Sequence, residues 1–314
     1  MRGMLGEEFM IAAAIDTGGT KINGAAVDEE GNILKKIRIE NTGRTGAFIM
    51  DAYRKILREL TEAFPIKAVG IGAGGRIDER AGKVLYAVGI YQDYIGLPMK
   101  QLLEEEFQLP TAVTNDCRAG LIGEKWKGSA AGYENVTGII LGTGVGGGVI
   151  DHHRILEGAF SGFGEIGHMI LHPGGRLCTC GQRGCAEQYI SGTALWQIYN
   201  ERSGSASLSS GYEFFGRVQH NDGIALEVLK EFQLDLASCA VSCANLLDPE
   251  VILIGGGLAD TADYWWDGFT AYCREIGNQH TQNQKLILAA RGNDAALLGA
   301  ARIAFDLYKT RHYQ

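Results

Sequence analysis

Three cysteines, Cys178, Cys180 and Cys185, fall within eight residues, and His168 precedes the first of them by ten positions. Four soft or borderline donors grouped this tightly suit a tetrahedral Zn²⁺ site, with Gly181 and Gly184 letting the backbone wrap an ion. The spacing CxCGxxGC is more compressed than that of a common zinc finger, which predicts a closed, structural knuckle rather than a zinc with an open coordination position. The other reading, three reduced core cysteines, suits the segment poorly because Gly, Arg and Gln surround them. Glu165 stands three residues before the histidine and Glu187 two after the last cysteine. Folding around a metal would bring these two distant carboxylates together.

With 314 residues the chain has ample length for a core and suggests two domains more readily than one. Its 46% hydrophobic content, 45 glycines and five prolines describe a globular α/β enzyme. A formal net charge of −8 without any long basic run argues against nucleic acid as a partner. The other four cysteines (Cys117, Cys239, Cys243, Cys273) are scattered in apolar settings, as expected of a reduced, cytoplasmic protein. Glu7 and Glu8 precede a short apolar run, Met10 to Ile15, that is too brief and too acidic in front for a signal peptide. Nothing else approaches a membrane span.

Residues 10–15 read as a buried strand, followed by DTGGTK (16–21) and a second strand, 22–28. Such a Gly-rich turn presents backbone N–H groups at close range, a phosphate cradle of hairpin type rather than a Walker A loop. Thr17, Thr20 and Lys21 offer hydroxyls and a cation, and Asp16 offers a carboxylate for Mg²⁺, directly or through water. An ordinary tight hairpin is the other reading of this turn alone. Residues 136–150 repeat the plan as strand, GTGVGGG, strand. Gly142, Gly144 and Gly147 satisfy GxGxxG, yet a dinucleotide fingerprint must open a helix, and here a strand and a turn at 151–154 follow. The repeated turns suggest a duplicated architecture whose halves face each other across a cleft.

Between them, the spacing predicts a helix from Asp51 to Phe64, a strand 66–72, a ligand-approaching loop 73–78, a helix 98–108 and a strand 111–114. Asn115 and Asp116 fall at the tip of that strand, where open α/β sheets place ligands, or where one of them simply caps the helix that follows to Trp126. Beyond the knuckle, 186–200 and 223–247 read as helices flanking a Ser-rich loop at 203–210. A strand 250–254 ends in Gly255–Gly257, either a nucleoside-binding turn or a plain connection to a helix over about 262–276. A strand 285–290 and a helix 294–308 close the chain. His152, His153 and His172 read as surface or packing histidines.

Together DTGGTK (16–21), ND (115–116), LGTGVGGG (141–148), GEIGH (164–168), CTCGQRGCAE (178–187), SGTAL (191–195), LLDPEVILIGGGLA (246–259) and LLGAA (297–301) resemble the ROK family (repressors, open reading frames and kinases) of sugar kinases, over nearly the whole chain. The resemblance implies an α/β fold of the duplicated actin-like (ribonuclease H-like) ATPase type. It implies two domains around a cleft: 1–118 plus 299–314 as the smaller, and 119–298 as the larger, carrying a structural zinc knuckle of His168, Cys178, Cys180 and Cys185. By resemblance Asp116 would be the general base for a sugar hydroxyl attacking the γ-phosphate of ATP, and Gly75, Asn115, Glu165, His168 and Glu187 would hold the sugar. His168 would bind zinc through one ring nitrogen and reach the sugar with the other. Asp16, Gly18, Gly19, Thr20, Lys21, Gly142, Thr143 and Gly144 would hold Mg·ATP phosphates, and Gly256 and Gly257 the nucleoside. A homodimer or homotetramer is the implied assembly.

The implied activity is ATP-dependent phosphorylation of glucose, with N-acetylmannosamine, another hexose or a β-glucoside as the alternative acceptor. A sugar-sensing regulator is the reading from another class, although only about ten residues precede the first strand. Four stretches depart from the family pattern: GAGGRID (72–78), VGIYQDYIGLP (88–98) with Tyr94 at the usual Trp position, GFGE (162–165) and NDCRAG (115–120). Two of them belong to segments that help form the sugar side of the cleft in that family.

Overall fold

The computed structural model describes residues 9–43, 45–87 and 93–312. Glu7, Glu8 and residues 88–92 of the 88–98 segment lie outside the described residues. The chain divides into two compact units, residues 1–127 with 294–314, and residues 128–293.

The first unit begins with β1 (Ile11–Thr17), β2 (Lys21–Asp28) and β3 (Ile33–Glu40), an antiparallel meander. Helix α1 (Gly46–Ala63) follows, then β4 (Ile66–Ala73), the small ribbon β5 (Arg76–Asp78) and β6 (Lys83–Tyr86), α2 (Met99–Phe107), β7 (Thr111–Asn115) and α3 (Asp116–Lys127). The main sheet has the order β3-β2-β1-β4-β7, with β1, β4 and β7 parallel. Strand β1 is buried on both faces, which its unbroken apolar run requires. Ala13 and Ile15 enter the core beneath α1 and α2, whereas Ala12 and Ala14 face the closing helix of the chain.

The second unit repeats this plan. Strands β8 (Val136–Leu141), β9 (Val145–Asp151) and β10 (Arg154–Ile155) form the meander, then come α4 (Glu187–Ile190), α5 (Gly192–Ser203), α6 (Gly211–Gln219), α7 (Gly223–Leu247), β11 (Val251–Gly255), α8 (Trp266–Ile276) and β12 (Leu286–Leu288). The order β10-β9-β8-β11-β12 has the same directions as the first sheet, so the expected duplication is present strand for strand. Both Gly-rich turns join antiparallel strands at equivalent places, 17–21 between β1 and β2 and 141–145 between β8 and β9.

The chain then returns to the first unit with α9 (Ala295–His312). Helices α3 and α9 cross where side chains are missing: a Cβ at Gly123 would meet the Ala295 carbonyl and one at Gly299 the Ala119 carbonyl, while a Cβ at Gly70 of β4 would meet the Ala300 carbonyl from the sheet side. This contact explains why the expected boundaries at 118/119 and 298/299 are not where the units divide. Both fall inside unbroken helices that pack on each other, and the breaks lie at 127/128 and 293/294 instead.

Other local expectations change as well. The single helix expected over 186–200 is broken at Ser191, whose extended backbone and hydroxyl, accepting from Ala194 N at 3.0 Å, restart the chain as α5. The helix expected from about 262 begins as 3₁₀ turns over Gly257–Tyr264 and becomes α-helical at Trp266. Strand β3 and helix α6 are not among the elements that the sequence predicts above. β3 is a half-exposed edge of alternating Ile and charged residues, and α6 follows directly on the Ser-rich run, capped by Ser210.

Among the described residues no helix is long and apolar enough to cross a membrane. Gly299→Ala is expected to lower the unfolding free energy by about 2–3 kcal/mol, because the added methyl overpacks a backbone-to-backbone contact. Urea denaturation monitored by far-UV circular dichroism measures it, and an unchanged midpoint would contradict the closeness of the α3–α9 crossing.

Candidate functional site

In the first unit, the residues named by the sequence gather at the carboxyl ends of β1, β4 and β7. Asp16 pairs in register with Gly72, and Gly72 with Thr114, so the tips of the three strands form one shelf. Asn115 ends β7 and Asp116 opens α3. Asn115 does serve as the helix cap, its Oδ1 accepting from the N–H groups of Cys117 and Arg118 at 2.9 and 3.1 Å. Its Nδ2 donates to the Gly75 carbonyl at 3.0 Å and to Asp116 Oδ1 at 2.9 Å. Gly75 is at φ +95° with a would-be Cβ 2.5 Å from the Tyr86 carbonyl, so only glycine fits this loop.

Burial, opposed by hydrogen bonds from Cys117 and Asn115, pushes the carboxyl of Asp116 above the ordinary aspartate range. Asp16 is raised from 3.8 to about 6, first by burial and then by the negative charge of Asp116, with Asn23 Nδ2 at 3.4 Å acting the other way. Gly19, Thr20 and Lys21 are exposed and Gly18 half-buried, in a turn closed by Gly18 N donating to the Lys21 carbonyl at 2.9 Å. Thr17 is a different matter: its hydroxyl is buried and lies 2.6 Å from the hydroxyl of Tyr53, so it is not one of the exposed donors of that turn. The part of the 88–98 segment that is described places Tyr94 in the core, its hydroxyl donating to the Gly74 carbonyl at 3.0 Å.

In the second unit, a ring nitrogen of His168 and the Sγ atoms of Cys178, Cys180 and Cys185 all lie within 4.8 Å of one another. His168 Nδ1 is 3.8 Å from Cys178 Sγ, and Cys180 Sγ is 3.6 Å from Cys185 Sγ. Tetrahedral zinc, with bonds of about 2.3 Å to sulfur and about 2.0–2.1 Å to nitrogen, sets its donors about 3.5–3.8 Å apart. The strained turns around them run through Gly181 and Gly184, at φ +92° and +83°. His168 sits in a 3₁₀ turn opened by Glu165, whose carboxylate is exposed.

Glu187 links this loop to the Gly-rich turn. Its Oε2 accepts from Val145 N at 2.9 Å, while its Oε1 is 4.0 Å from Cys178 Sγ. A Cβ at Gly144 would collide with Glu187 Oε2, which explains the glycine there. Gly142 in turn accepts from Gly192 N at 2.8 Å, the first residue of α5, and Thr143 is exposed. Gly256, at φ +86°, has its would-be Cβ against the Leu141 carbonyl, and Gly257 is exposed beside it. The two Gly turns of this unit, 142–144 and 256–257, are therefore neighbours. His152 and His153 are exposed, and His172 pairs with Asp235 at 2.9 Å and packs on Tyr189, in keeping with packing roles.

A twice-repeated five-stranded α/β unit with Gly-rich hairpin turns defines a protein of the actin-like ATPase fold. Residues 12–306 match the ROK family, and the chain belongs to it. It is 33% identical over 311 residues to a glucokinase of Streptomyces coelicolor, covering 94% of this chain and 97% of that one. Among solved structures, it is similar to a ROK family glucokinase from Streptomyces griseus in complex with glucose and AMPPNP, at TM-score 0.82 and 33% identity, over 94% of this chain and 99% of that one. It is also similar to a ROK hexokinase from Thermus thermophilus, at TM-score 0.86 and 28% identity, over 96% of this chain and 100% of that one.

An ionised carboxylate at Asp16 is unfavourable in this setting. The shift from 3.8 to about 6 is worth on the order of 3 kcal/mol. A raised acid stabilises the fold below pH 4 and loses that contribution as pH climbs through 6. Asp16→Asn is therefore expected to be more stable than the parent at pH 7.5 by up to about 3 kcal/mol, with the gain disappearing towards pH 4. Urea unfolding across this pH range measures it, and a difference that does not change with pH contradicts the assignment.

Proposed function

We propose that this ROK-family chain is an ATP-dependent hexose kinase acting on glucose, with Asp116 as the general base. The reading rests chiefly on one observation: a buried carboxylate at a strand tip, its pKa raised, held beside an amide that is fixed by the same turn. The 33% identity to a glucokinase over nearly the full length of both chains supports glucose as acceptor. An N-acetylated hexosamine or a β-glucoside is the alternative acceptor for the same site.

The chemistry is positioning and charge neutralisation, since phosphoryl transfer passes through a loose transition state. Asp116 accepts the proton from the sugar hydroxyl as that oxygen attacks the γ-phosphate, a contribution of about 10²–10⁴-fold for a well-placed base. A raised pKa brings the carboxylate nearer to the pH at which proton acceptance is effective. Asn115, the Gly75 backbone, Glu165, His168 and Glu187 hold the remaining hydroxyls, each of which needs a partner once removed from water. Gly18, Gly19, Thr20, Lys21, Gly142, Thr143 and Gly144 hold the phosphates, and Gly256 and Gly257 the nucleoside. Asp16, short of positive charge in its buried setting, is suited to Mg²⁺, which when bound neutralises phosphate oxygens.

The donor distances of His168, Cys178, Cys180 and Cys185 suit zinc in a closed site. His168 Nδ1 and the three thiolates would hold a zinc ion of structural role, leaving His168 Nε2 to reach the sugar. We further place the protein in the cytoplasm, in keeping with its seven free thiols, and read its assembly as a homodimer or homotetramer.

An ADP-release assay across glucose, N-acetylmannosamine, N-acetylglucosamine, mannose, fructose and β-glucosides tests the reading, and absence of turnover with every sugar would overturn it. Asp116→Asn is expected to lower kcat by at least about 10²-fold with glucose binding retained, measured by calorimetry alongside kinetics. Cys180→Ser is expected to remove one equivalent of zinc and to weaken glucose binding; metal analysis of purified protein with no zinc, at full activity, would refute the structural metal.

A further inference from the structure

The Asn115–Asp116 pair is held by a carboxylate that belongs to no motif. Glu79, in the turn after β5, uses a single oxygen, Oε1, to accept from Thr114 Oγ1 at 2.5 Å and from Arg118 Nη1 at 2.8 Å. Thr114 immediately precedes the pair, and Arg118 follows Asp116 by two residues. All three are withdrawn from solvent, with Thr114 at 2% exposure and the side chains of Arg118 and Glu79 at 3% and 13%. Both ends of the strand-to-helix junction are thus drawn to one point. The loop that carries Glu79 also carries the Gly75 carbonyl, which accepts from Asn115 Nδ2, and the Gly74 carbonyl, which accepts from Tyr94.

We infer that the Glu79–Arg118–Thr114 clamp is a positioning device for the sugar, setting where the Asn115 amide and the Gly75 backbone stand relative to Asp116. The inference rests on the kinase reading above and deepens it: the clamp selects which hydroxyl reaches the base. Glu79 and Arg118 act through Asn115 and Gly75 rather than by touching substrate. The geometry favours this over a purely cohesive role. An apolar pair of similar volume fills buried space as well as an ion pair does, but it has no directional bonds. Here the bonds point at the two residues that bracket Asn115 and Asp116. Asn115 Oδ1 is already committed to the N–H groups of Cys117 and Arg118, so the amide moves only as the junction moves. Arg118 is also one of the departures in NDCRAG, which gives this chain a charged clamp at that point.

The test is steady-state kinetics, in the full-length protein, on Glu79→Ala, Glu79→Gln, Arg118→Met and the double variant Glu79→Ala/Arg118→Met, with thermal unfolding followed in parallel. A displacement of about 1 Å at a reacting group is enough to lower rates about 10²-fold. The single variants Glu79→Ala and Arg118→Met are expected to lower kcat/KM for the hexose by about that factor, with KM for ATP unchanged. Glu79→Gln, which keeps an acceptor oxygen for both donors, is expected to recover most of the loss. The double variant, which removes both members of the Glu79–Arg118 ion pair, is expected to regain thermal stability relative to the single variants without regaining hexose kcat/KM. A stable double variant with parental hexose kinetics overturns the clamp and leaves the kinase reading intact. A rise in KM for ATP as large as that for the hexose also overturns it. A parent protein that phosphorylates no sugar overturns the kinase reading, and the clamp with it.

Discussion

Burial of two carboxylates on one strand-tip shelf is the constraint around which the first unit is arranged. Asp16 lies on β1 and Asp116 opens α3 just after β7, on either side of β4, and the charge of Asp116 adds to the effect of burial on Asp16. A Cβ at Gly72 would sit 3.0 Å from that of Ala119 and 3.4 Å from the Asp116 Cα, so its absence lets α3 start where it does. Each carboxyl is withdrawn from water, which disfavours its charged form. The fold holds both by hydrogen bonds from Asn23, Asn115 and Cys117 and by the packing of α3 against α9. Perturbed acids grouped at a strand tip in this way are more often found at functional sites than elsewhere.

The second unit meets a different requirement. A loop as polar and Gly-rich as 168–187 has little apolar surface with which to hold itself, and it is built from tight turns and two isolated bridges, Ile170 with Cys185 and Leu177 with Arg183. Four metal-type donors, His168, Cys178, Cys180 and Cys185, converge within this loop. Glu187 connects the loop outward, because one of its oxygens is near Cys178 while the other accepts from the Gly-rich turn at Val145. The loop bearing the donors and the turn bearing the glycines are thereby one piece of structure.

Much of this was legible from residue types alone. The two Gly-rich turns were readable as hairpins because a strand, and not a helix, follows each, and the cysteine spacing named its own chemistry. Asn115 was open between ligand and cap, and it is a cap whose amide remains directed at the loop. Thr17 looked like a hydroxyl donor beside Thr20, but strand alternation turns it inward to Tyr53. Glu79 carried no signal, since a lone glutamate after a short ribbon is indistinguishable from a surface acid until the chain is folded. Helix α6 was hidden by the serines before it, and the breaks between the units by helices that run through the positions where the motifs change.

The sequence by itself determined the duplicated α/β plan, the positions of both Gly turns, the metal-type donors and the strand-tip acid. Each of these depends on local periodicity or on spacing within a few residues, which the chain carries regardless of its partners. Only the tertiary structure decided that α3 and α9 belong together, that Asp16 senses Asp116, that Glu187 joins the cysteine loop to the Gly turn, and that Glu79 grips both sides of Asn115–Asp116. These join residues about thirty-five to nearly two hundred positions apart, where burial and charge act through space and leave no pattern along the chain.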